Sequence, residues 1–362
     1  MSTPCYVVGG GIIGLLSALE LAQAGEDVVI IDRQPVGQEA SWAGGGILSP
    51  LYPWRYPEAV HPLARWSQDI YPELAESLRR ETGIDSEWTR SGLLILDAED
   101  SRVGVDWCRS HGLNAELVDP EQLSRLEPGL RNGSGMAVSL ADVAQIRNPQ
   151  LIKALVQRLR SLGVGFREGL AVTGFRRTDG SLRGIVTESG VLPANRCLIA
   201  AGPWSAALLE TVGLDLPLRP VKGQMLLLKG ESAPVSHILI RGARYVIPRR
   251  DGRILVGSTQ EEAGFDKSAT AEARDLLFSA ACEMVPELEN WQIERHWAGL
   301  RPGSPDGIPY IGRHPEIVGL YVNTGHFRNG IVLAPASARL AADLMLGRSA
   351  LLDLGQFSLV RM

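Results

Sequence analysis

Two short, unbroken apolar runs open the chain. Cys5-Tyr6-Val7-Val8 and Val28-Val29-Ile30-Ile31 lack polar alternation, which marks strands buried on both faces. Between them lie a glycine turn, Gly9-Gly10-Gly11-Ile12-Ile13-Gly14, and a stretch from Leu15 to Ala24 with apolar residues at helical spacing. Gly25 then supplies the backbone freedom at which helices stop. Strand, turn, helix and strand in succession predict a βαβ unit with a parallel pair.

Further along, positions 38–50 are small, apolar and glycine-rich, too apolar for a linker and too rich in glycine for a helix. Helical spacing returns over 62–82, and Leu93-Leu96 reads as a strand of a different layer. Asn148-Pro149 predicts a helix start, with Asn148 as N-cap and a stop at Gly163. Short strands follow near 172–176, 184–188 and 196–201, with Thr178-Asp179-Gly180 as a turn. Strands are predicted over 218–229, 245–248 and 254–257, the last two joined by a turn at Arg250-Asp251-Gly252-Arg253. A helix over 272–285, a strand over 319–323 and a helix over 331–346 complete the pattern, with Pro335 tolerated in early turns.

The first and last segments therefore look like α/β material, and the middle is richer in antiparallel strands. The expected fold class is α/β, with a Rossmann-like cofactor domain and an antiparallel-sheet α+β substrate domain. The cofactor domain is expected to be discontinuous, comprising 1–84, 142–217 and 300–362. The substrate domain would take 85–141 and 218–299.

Composition narrows the function. The chain has 362 residues, 45% hydrophobic and 21% charged, with 40 glycines gathered in loops beside apolar runs. Net charge is −5 and no basic block is present, which argues against nucleic acid as a partner. The start of the chain has no basic region ahead of its apolar stretch, and no run is long enough to span a bilayer. A soluble, cytoplasmic protein is expected, without a membrane partner. Cys5, Cys108, Cys197 and Cys282 form no metal-type or disulfide-type spacing, and no metal is expected.

The glycine turn carries chemistry. Gly9 permits the tight turn, Gly11 lets the backbone approach a pyrophosphate, and Gly14 lets helix and strand pack closely. The pyrophosphate would lie at the helix N-terminus. Asp32 closes the second strand, where a carboxylate accepts hydrogen bonds from ribose hydroxyls and disfavours a 2′-phosphate. The motif alone does not separate FAD from NAD. No Ser-His-Asp set, H-E-x-x-H or paired carboxylates accompany it.

Several blocks together resemble the D-amino acid oxidase superfamily of FAD-dependent amine oxidases, and within it the glycine oxidases of the thiamine pathway. They are Val8 to Gly14, Ala43 to Leu48, Pro220-Val221-Lys222-Gly223-Gln224, Tyr245-Val246-Ile247-Pro248-Arg249, Trp297 to Gly312 and Gly325 to Pro335. The resemblance implies non-covalent FAD, since no cysteine lies between Gly299 and Gly330. It implies cofactor contacts from Gly9, Gly11, Ile12, Ile13, Gly14, Asp32, Arg33, Ala40, Ser41, Gly45, Gly46, Ile47 and Val172. His326, Phe327, Arg328, Asn329, Gly330, Ile331 and Val332 would wrap the flavin edge. His326 is not assigned as a general base.

Arg301 would anchor a substrate carboxylate, and Tyr245 and Arg328 would line the same pocket. A planar guanidinium suits a carboxylate because it donates two parallel hydrogen bonds. The implied reaction is oxidation of glycine, sarcosine or small D-amino acids by hydride transfer to FAD. Dioxygen reoxidises the flavin, giving hydrogen peroxide, ammonia and glyoxylate or the matching 2-oxo acid. A homo-oligomer, such as a tetramer, and hand-off of the imine to a thiazole synthase are further implications. In the family pattern a histidine often lies two residues before the pocket tyrosine. Here that position is Ala243, beside Arg244, which bears on pocket polarity and on strict preference for glycine. Alternatives are a D-amino acid dehydrogenase using a quinone, a non-catalytic flavoprotein assembly partner and a tRNA-modifying oxidase domain.

Overall fold

The computed structural model describes residues 3–131 and 135–361. The apolar runs of the βαβ unit form the middle of a six-stranded sheet. Its order is Tyr310–Arg313, Leu320–Thr324, Cys197–Ile199, Cys5–Val8, Val28–Asp32 and Gly165–Glu168. All neighbours are parallel except the first pair, Tyr310–Arg313 against Leu320–Thr324. Both faces are covered, as uninterrupted apolar strands require. Helices Ile12–Gln23, Val60–Thr82, Asn148–Ser161 and Gly330–Leu346 pack on one face. A three-stranded antiparallel sheet, Val172–Thr178, Ser181–Thr187 and Gly190–Pro193, brings Leu182 and Ile185 against Tyr6 and Val8 on the other.

A second, eight-stranded sheet runs Gln292–Gly303, Arg219–Lys229, Ile254–Gly257, Arg244–Pro248, Ile238–Arg241, Leu93–Leu96, Ala137–Leu140 and Ala115–Val118. It is antiparallel except where Ile238–Arg241 pairs with Leu93–Leu96. Helix Ala271–Met284 closes one face through Leu277 and Ala281. The other face carries Tyr52, Met225 and Tyr245 in one apolar cluster.

Four expectations change. The glycine-rich segment contains one helical turn, Ala40–Ala43, because its alanines precede the glycines. Asn148 is the first helical residue rather than the N-cap, which is Arg147. Its fully buried amide instead donates to the Ser41 carbonyl at 2.8 Å and the Gly44 carbonyl at 3.0 Å. The run from Trp297 is the end of a twelve-residue strand, Gln292–Gly303, that continues through position 300. The expected boundary between 299 and 300 therefore falls inside a strand. Gly165–Glu168, with one large apolar residue, carries too weak a pattern to be seen in sequence, and forms by pairing parallel to Val28–Asp32.

Pro335 lies inside helix Gly330–Leu346 and has no N–H for the Ile331 carbonyl one turn back. A buried, unpaired carbonyl is costly. Tyr71, fully buried on helix Val60–Thr82, donates its hydroxyl to that carbonyl at 2.5 Å. Ser67 accepts from the Ala336 N–H at 3.0 Å. The two helices are thus locked together beside the loop 325–330.

Candidate active site

One cavity of about 410 Å3 is lined by the glycine turn, by the segment 39–51, by strand ends of the parallel sheet and by the face of the eight-stranded sheet that bears Tyr245. Gly9 adopts φ +108°, and a Cβ there would lie 2.4 Å from the Ala200 carbonyl oxygen. Helix Ile12–Gln23 starts at Gly11 without a side-chain cap from that residue. Its first N–H, on Ile12, donates to Ser41 Oγ at 2.8 Å, and Ile12 and Ile13 face the cavity. Asp32 accepts from the Gly10 N–H at 2.7 Å and the Gln34 N–H at 3.0 Å. Burial raises its pKa, and those two hydrogen bonds oppose the shift.

The segment 40–47 is held from outside. Besides the Asn148 amide, Arg249 donates to the Gly45 carbonyl at 2.6 Å and to the Ile146 carbonyl at 3.2 Å. Trp204 forms another part of the wall, with the Arg33 guanidinium 3.8 Å above its ring. Phe265 stacks on the same ring with centroids 5.5 Å apart. Lys267 pairs with Glu39 at 3.0 Å. A loop of the eight-stranded sheet thereby meets the parallel-sheet side of the cavity.

At the sheet face, Arg301 stands on strand Gln292–Gly303 opposite Val221. Its guanidinium lies directly on Gly223. A Cβ at that glycine would come within 2.4 Å of Nη1, Nη2 and Cζ. Gly257 makes room for the Tyr245 ring in the same way, since its Cβ would lie 2.5 Å from ring atoms. Arg301 donates to Ser258 Oγ at 2.7 Å and to the Thr259 carbonyl at 3.2 Å. Burial lowers its pKa, Tyr245 opposes this, and nearby Arg328 adds to it. Among the described residues neither Arg301 nor Arg328 forms an ion pair with a carboxylate. The Tyr245 hydroxyl donates to Met225 Sδ at 3.2 Å.

The structure brings Gly9, Gly11, Ile12, Ile13, Asp32, Arg33, Ala40, Ser41, Gly45, Gly46, Ile47, Val172, Tyr245, Arg301, His326, Phe327, Arg328, Gly330 and Ile331 to this one cavity. Gly14, Asn329 and Val332 do not line it. Gly14 is pressed against Gly9, and Asn329 and Val332 are 3% and 1% exposed, turned into the core. Trp204, Gly223, Met225 and Ser258 are lining residues that the sequence reading missed. Gly223 had a signal: a glycine inside an apolar strand marks a close approach. Ala243 is exposed in the turn between Ile238–Arg241 and Arg244–Pro248 and is outside the cavity lining, so its difference from a histidine does not touch the wall.

His326 is 1% exposed, and its Nε2 meets Ser337 Oγ at 3.0 Å. Burial pushes its pKa down to about 3. The folded protein keeps this ring neutral while the unfolded chain protonates near pH 6.5. Its contribution to stability is therefore complete above about pH 6.5 and is lost as pH falls from there towards 3. Thermal melts across that window should show a shallower decline for His326→Gln than for the wild type. Parallel curves would remove His326 as the responsible group.

The helix N-terminus at the glycine turn, the apolar walls of Val8, Ile31 and Val172 and the carboxylate of Asp32 together suit a dinucleotide: anion, flat rings and ribose. This is the architecture of a dinucleotide-binding oxidoreductase. Residues 5–344 match the family model described as FAD dependent oxidoreductase, DAO, and the chain belongs to that family. FAD is its cofactor. The glycine oxidase of Pseudomonas aeruginosa is 49% identical over 354 residues, covering 98% of this chain and 97% of that protein. The crystal structure of glycine oxidase from Geobacillus kaustophilus superimposes with a TM-score of 0.95 at 32% identity, covering 99% of this chain and 98% of that one. The bifunctional protein ThiO/ThiG of Synechocystis is 33% identical over 94% of this chain but only 51% of its own length. No helix among the described residues is long and apolar enough to cross a membrane.

Proposed function

We propose that this protein is an amino acid oxidase of the glycine oxidase type, acting on glycine and on other small amines such as sarcosine and small D-amino acids. The observation that carries this reading is the Arg301 guanidinium. It is bedded on Gly223 without a carboxylate partner and faces the cavity that the glycine turn also lines. Two cations without carboxylate partners in a shared cavity call for an anion. The glycine oxidases of similar sequence and structure support a small amino acid as that anion.

The chemistry that bound FAD supplies is acceptance of a hydride equivalent and return of two electrons to dioxygen. Gly9, Gly11, Ile12, Ile13, Asp32, Arg33, Ala40, Ser41, Gly45, Gly46, Ile47 and Val172 would hold it, with His326, Phe327, Arg328, Gly330 and Ile331 completing the wall. Arg301 would take the substrate carboxylate in a two-point hydrogen bond and so set the orientation of the α-carbon. Tyr245 and Arg328 would bound the pocket. The positive field of Arg301 and Arg328 favours the neutral amine over the ammonium. Glycine, dioxygen and water would yield glyoxylate, ammonia and hydrogen peroxide.

The experiment is anaerobic mixing of the holoprotein with glycine, sarcosine, D-alanine and D-proline, followed by flavin absorbance. Bleaching by glycine at least as fast as by the others is expected. A flavin that none of the four reduces would end this reading. Four buried, unpaired cysteines fit a cytoplasmic enzyme. The bifunctional ThiO/ThiG relatives support a role in thiamine biosynthesis, with the imine handed to a thiazole synthase. A homotetramer, the assembly implied by the family resemblance, would show directly in light scattering.

A further inference from the structure

We propose that Ser258 is the positioning residue of the Arg301 anchor, and that Arg244 acts as an outer brace on Ser258. The inference rests on the reading of Arg301 as the carboxylate site. Arg301 is held by neutral groups: Ser258 Oγ at 2.7 Å, the Thr259 carbonyl at 3.2 Å, more weakly the Lys222 carbonyl at 3.4 Å, and the Tyr245 side chain. The two carbonyls are backbone groups of segments tied to each other: the Lys222 and Glu261 N–H groups each donate to the other's carbonyl at 3.0 Å, and the Thr259 N–H donates to the Gln224 carbonyl at 3.4 Å. The Ser258 hydroxyl makes the shortest of the three measured contacts, and the Tyr245 hydroxyl is shared with Met225 Sδ.

Ser258 is itself clamped. It is 1% exposed and lines the cavity, and its carbonyl accepts from Arg244 Nη1 at 2.7 Å. Arg244, singled out in the sequence beside Ala243, thus reaches the anchor through Ser258 and is absent from the cavity lining. The nearby carboxylate of Glu261 is already engaged. It accepts from Gln224 Nε2 at 2.9 Å and from the Thr259 hydroxyl, and lies 3.6 Å from the buried Lys222 ammonium. Arg301 therefore keeps its charge for the ligand.

The physical need is clear. A two-point hydrogen bond to a carboxylate requires the guanidinium plane within roughly 10–20° of its productive orientation. Arginine loses considerable rotamer freedom when so fixed. Gly223 sets the plane of the fork, and the Ser258 hydroxyl sets its rotation in that plane. Holding the fork before the ligand arrives removes that cost from binding.

The test uses FAD-loaded Ser258→Ala, Ser258→Thr, Arg244→Ala and the Ser258→Ala/Arg244→Ala double variant. Acetate, a carboxylate with no amine to oxidise, is titrated against the flavin visible spectrum, and kcat and KM for glycine are measured separately. Ser258→Ala is expected to raise both the acetate Kd and the glycine KM about tenfold, the scale of one hydrogen bond to a charged group. FAD content should stay at the wild-type level and kcat within about twofold, as loss of binding shared by ground and transition states predicts. Ser258→Thr should recover most of the loss. Arg244→Ala should raise the Kd by about threefold, and the double variant should be no worse than Ser258→Ala, because one residue acts through the other.

An unchanged acetate Kd in Ser258→Ala overturns the proposal, as does multiplication of the two single effects. Should Ser258→Ala lose FAD, the comparison of Ser258→Thr with Arg244→Ala decides: a Thr variant like the wild type beside a weakened Arg244→Ala supports it, and two unaltered variants overturn it. Wild-type protein that neither binds acetate nor oxidises glycine removes the anchor reading itself. Wild-type binding with no response to these substitutions removes only this inference.

Discussion

Arg301→Ala is expected to retain FAD and to lose most of its activity on glycine. Truncating one partner of a buried, hydrogen-bonded charge pair costs about 2–5 kcal/mol. That corresponds to a fall in kcat/KM of roughly 30- to 5,000-fold. FAD absorbance should be unchanged, since Arg301 lies on the eight-stranded sheet and the glycine turn on the parallel one. Arg301→Lys should recover only part of the loss. Lysine restores the charge without the planar fork, and its single ammonium cannot reach Ser258 Oγ and the Thr259 carbonyl in the same geometry. Steady-state kinetics with parallel flavin spectra decide the matter. An alanine variant with wild-type kcat/KM would show that the carboxylate binds elsewhere.

The second large effect falls on the glycine turn. In Gly14→Ala the new Cβ would lie 1.9 Å from the Gly9 carbonyl oxygen. Neither side can yield, because Gly9 is itself pressed on Ala200 and its N–H donates to the Ile31 carbonyl at 2.8 Å. Overpacking of this kind costs about 3 kcal/mol or more. We expect a melting temperature lower by roughly 4 °C or more and protein purified largely without flavin. Gly11→Ala is the control. Its Cβ meets only the Ser41 hydroxyl, at 3.2 Å, and its backbone is in an ordinary region, with φ −74°. It should melt within about 2 °C of the wild type when both are compared as flavin-free proteins, as mild changes do. Calorimetry with the flavin-to-protein absorbance ratio tests the pair. Equal melting temperatures for the two variants would falsify the assignment of Gly14 to helix–strand packing.

Much of the cofactor side was legible because its signals are local. The turn Gly9 to Gly14 and the acid Asp32 lie within one βαβ unit, so periodicity and spacing suffice. Helix ends were also readable: the start and stop of Val60–Thr82 and Gly330–Leu346 fall within two residues of expectation. Asn148 was misread for an instructive reason. An asparagine before a proline is a good N-cap signal, yet a buried loop with unpaired carbonyls competes for the same amide. Here the carbonyls of Ser41 and Gly44 win.

On the substrate side Arg301, Tyr245 and Arg328 were legible only through resemblance, and Ser258 was not legible at all. Arg301, Gly223, Tyr245, Gly257 and Ser258 are spread over about eighty positions, and no local pattern joins them. Three glycines in strands, Gly223, Gly257 and Gly299, are the trace that a sequence leaves of such a site. Each is small because something else must occupy its Cβ position: the Arg301 guanidinium, the Tyr245 ring and the Ala43 methyl respectively. In sequence they read only as weak points in strands.

The sequence by itself determined the parallel βαβ core, the glycine turn with its acid, and the type of group that binds there. These follow from apolar period, backbone freedom and charge, all set within a few tens of residues. Only the tertiary structure decided that Asn329 and Val332 are buried in packing rather than on the cavity wall. It also decided that Arg301 stands on a sheet strand and that Ser258 and Arg244 bear on its guanidinium. The reason is physical: a guanidinium's direction is set by what it lies on and which acceptors surround it, and strand pairing brings those groups from distant segments of the chain.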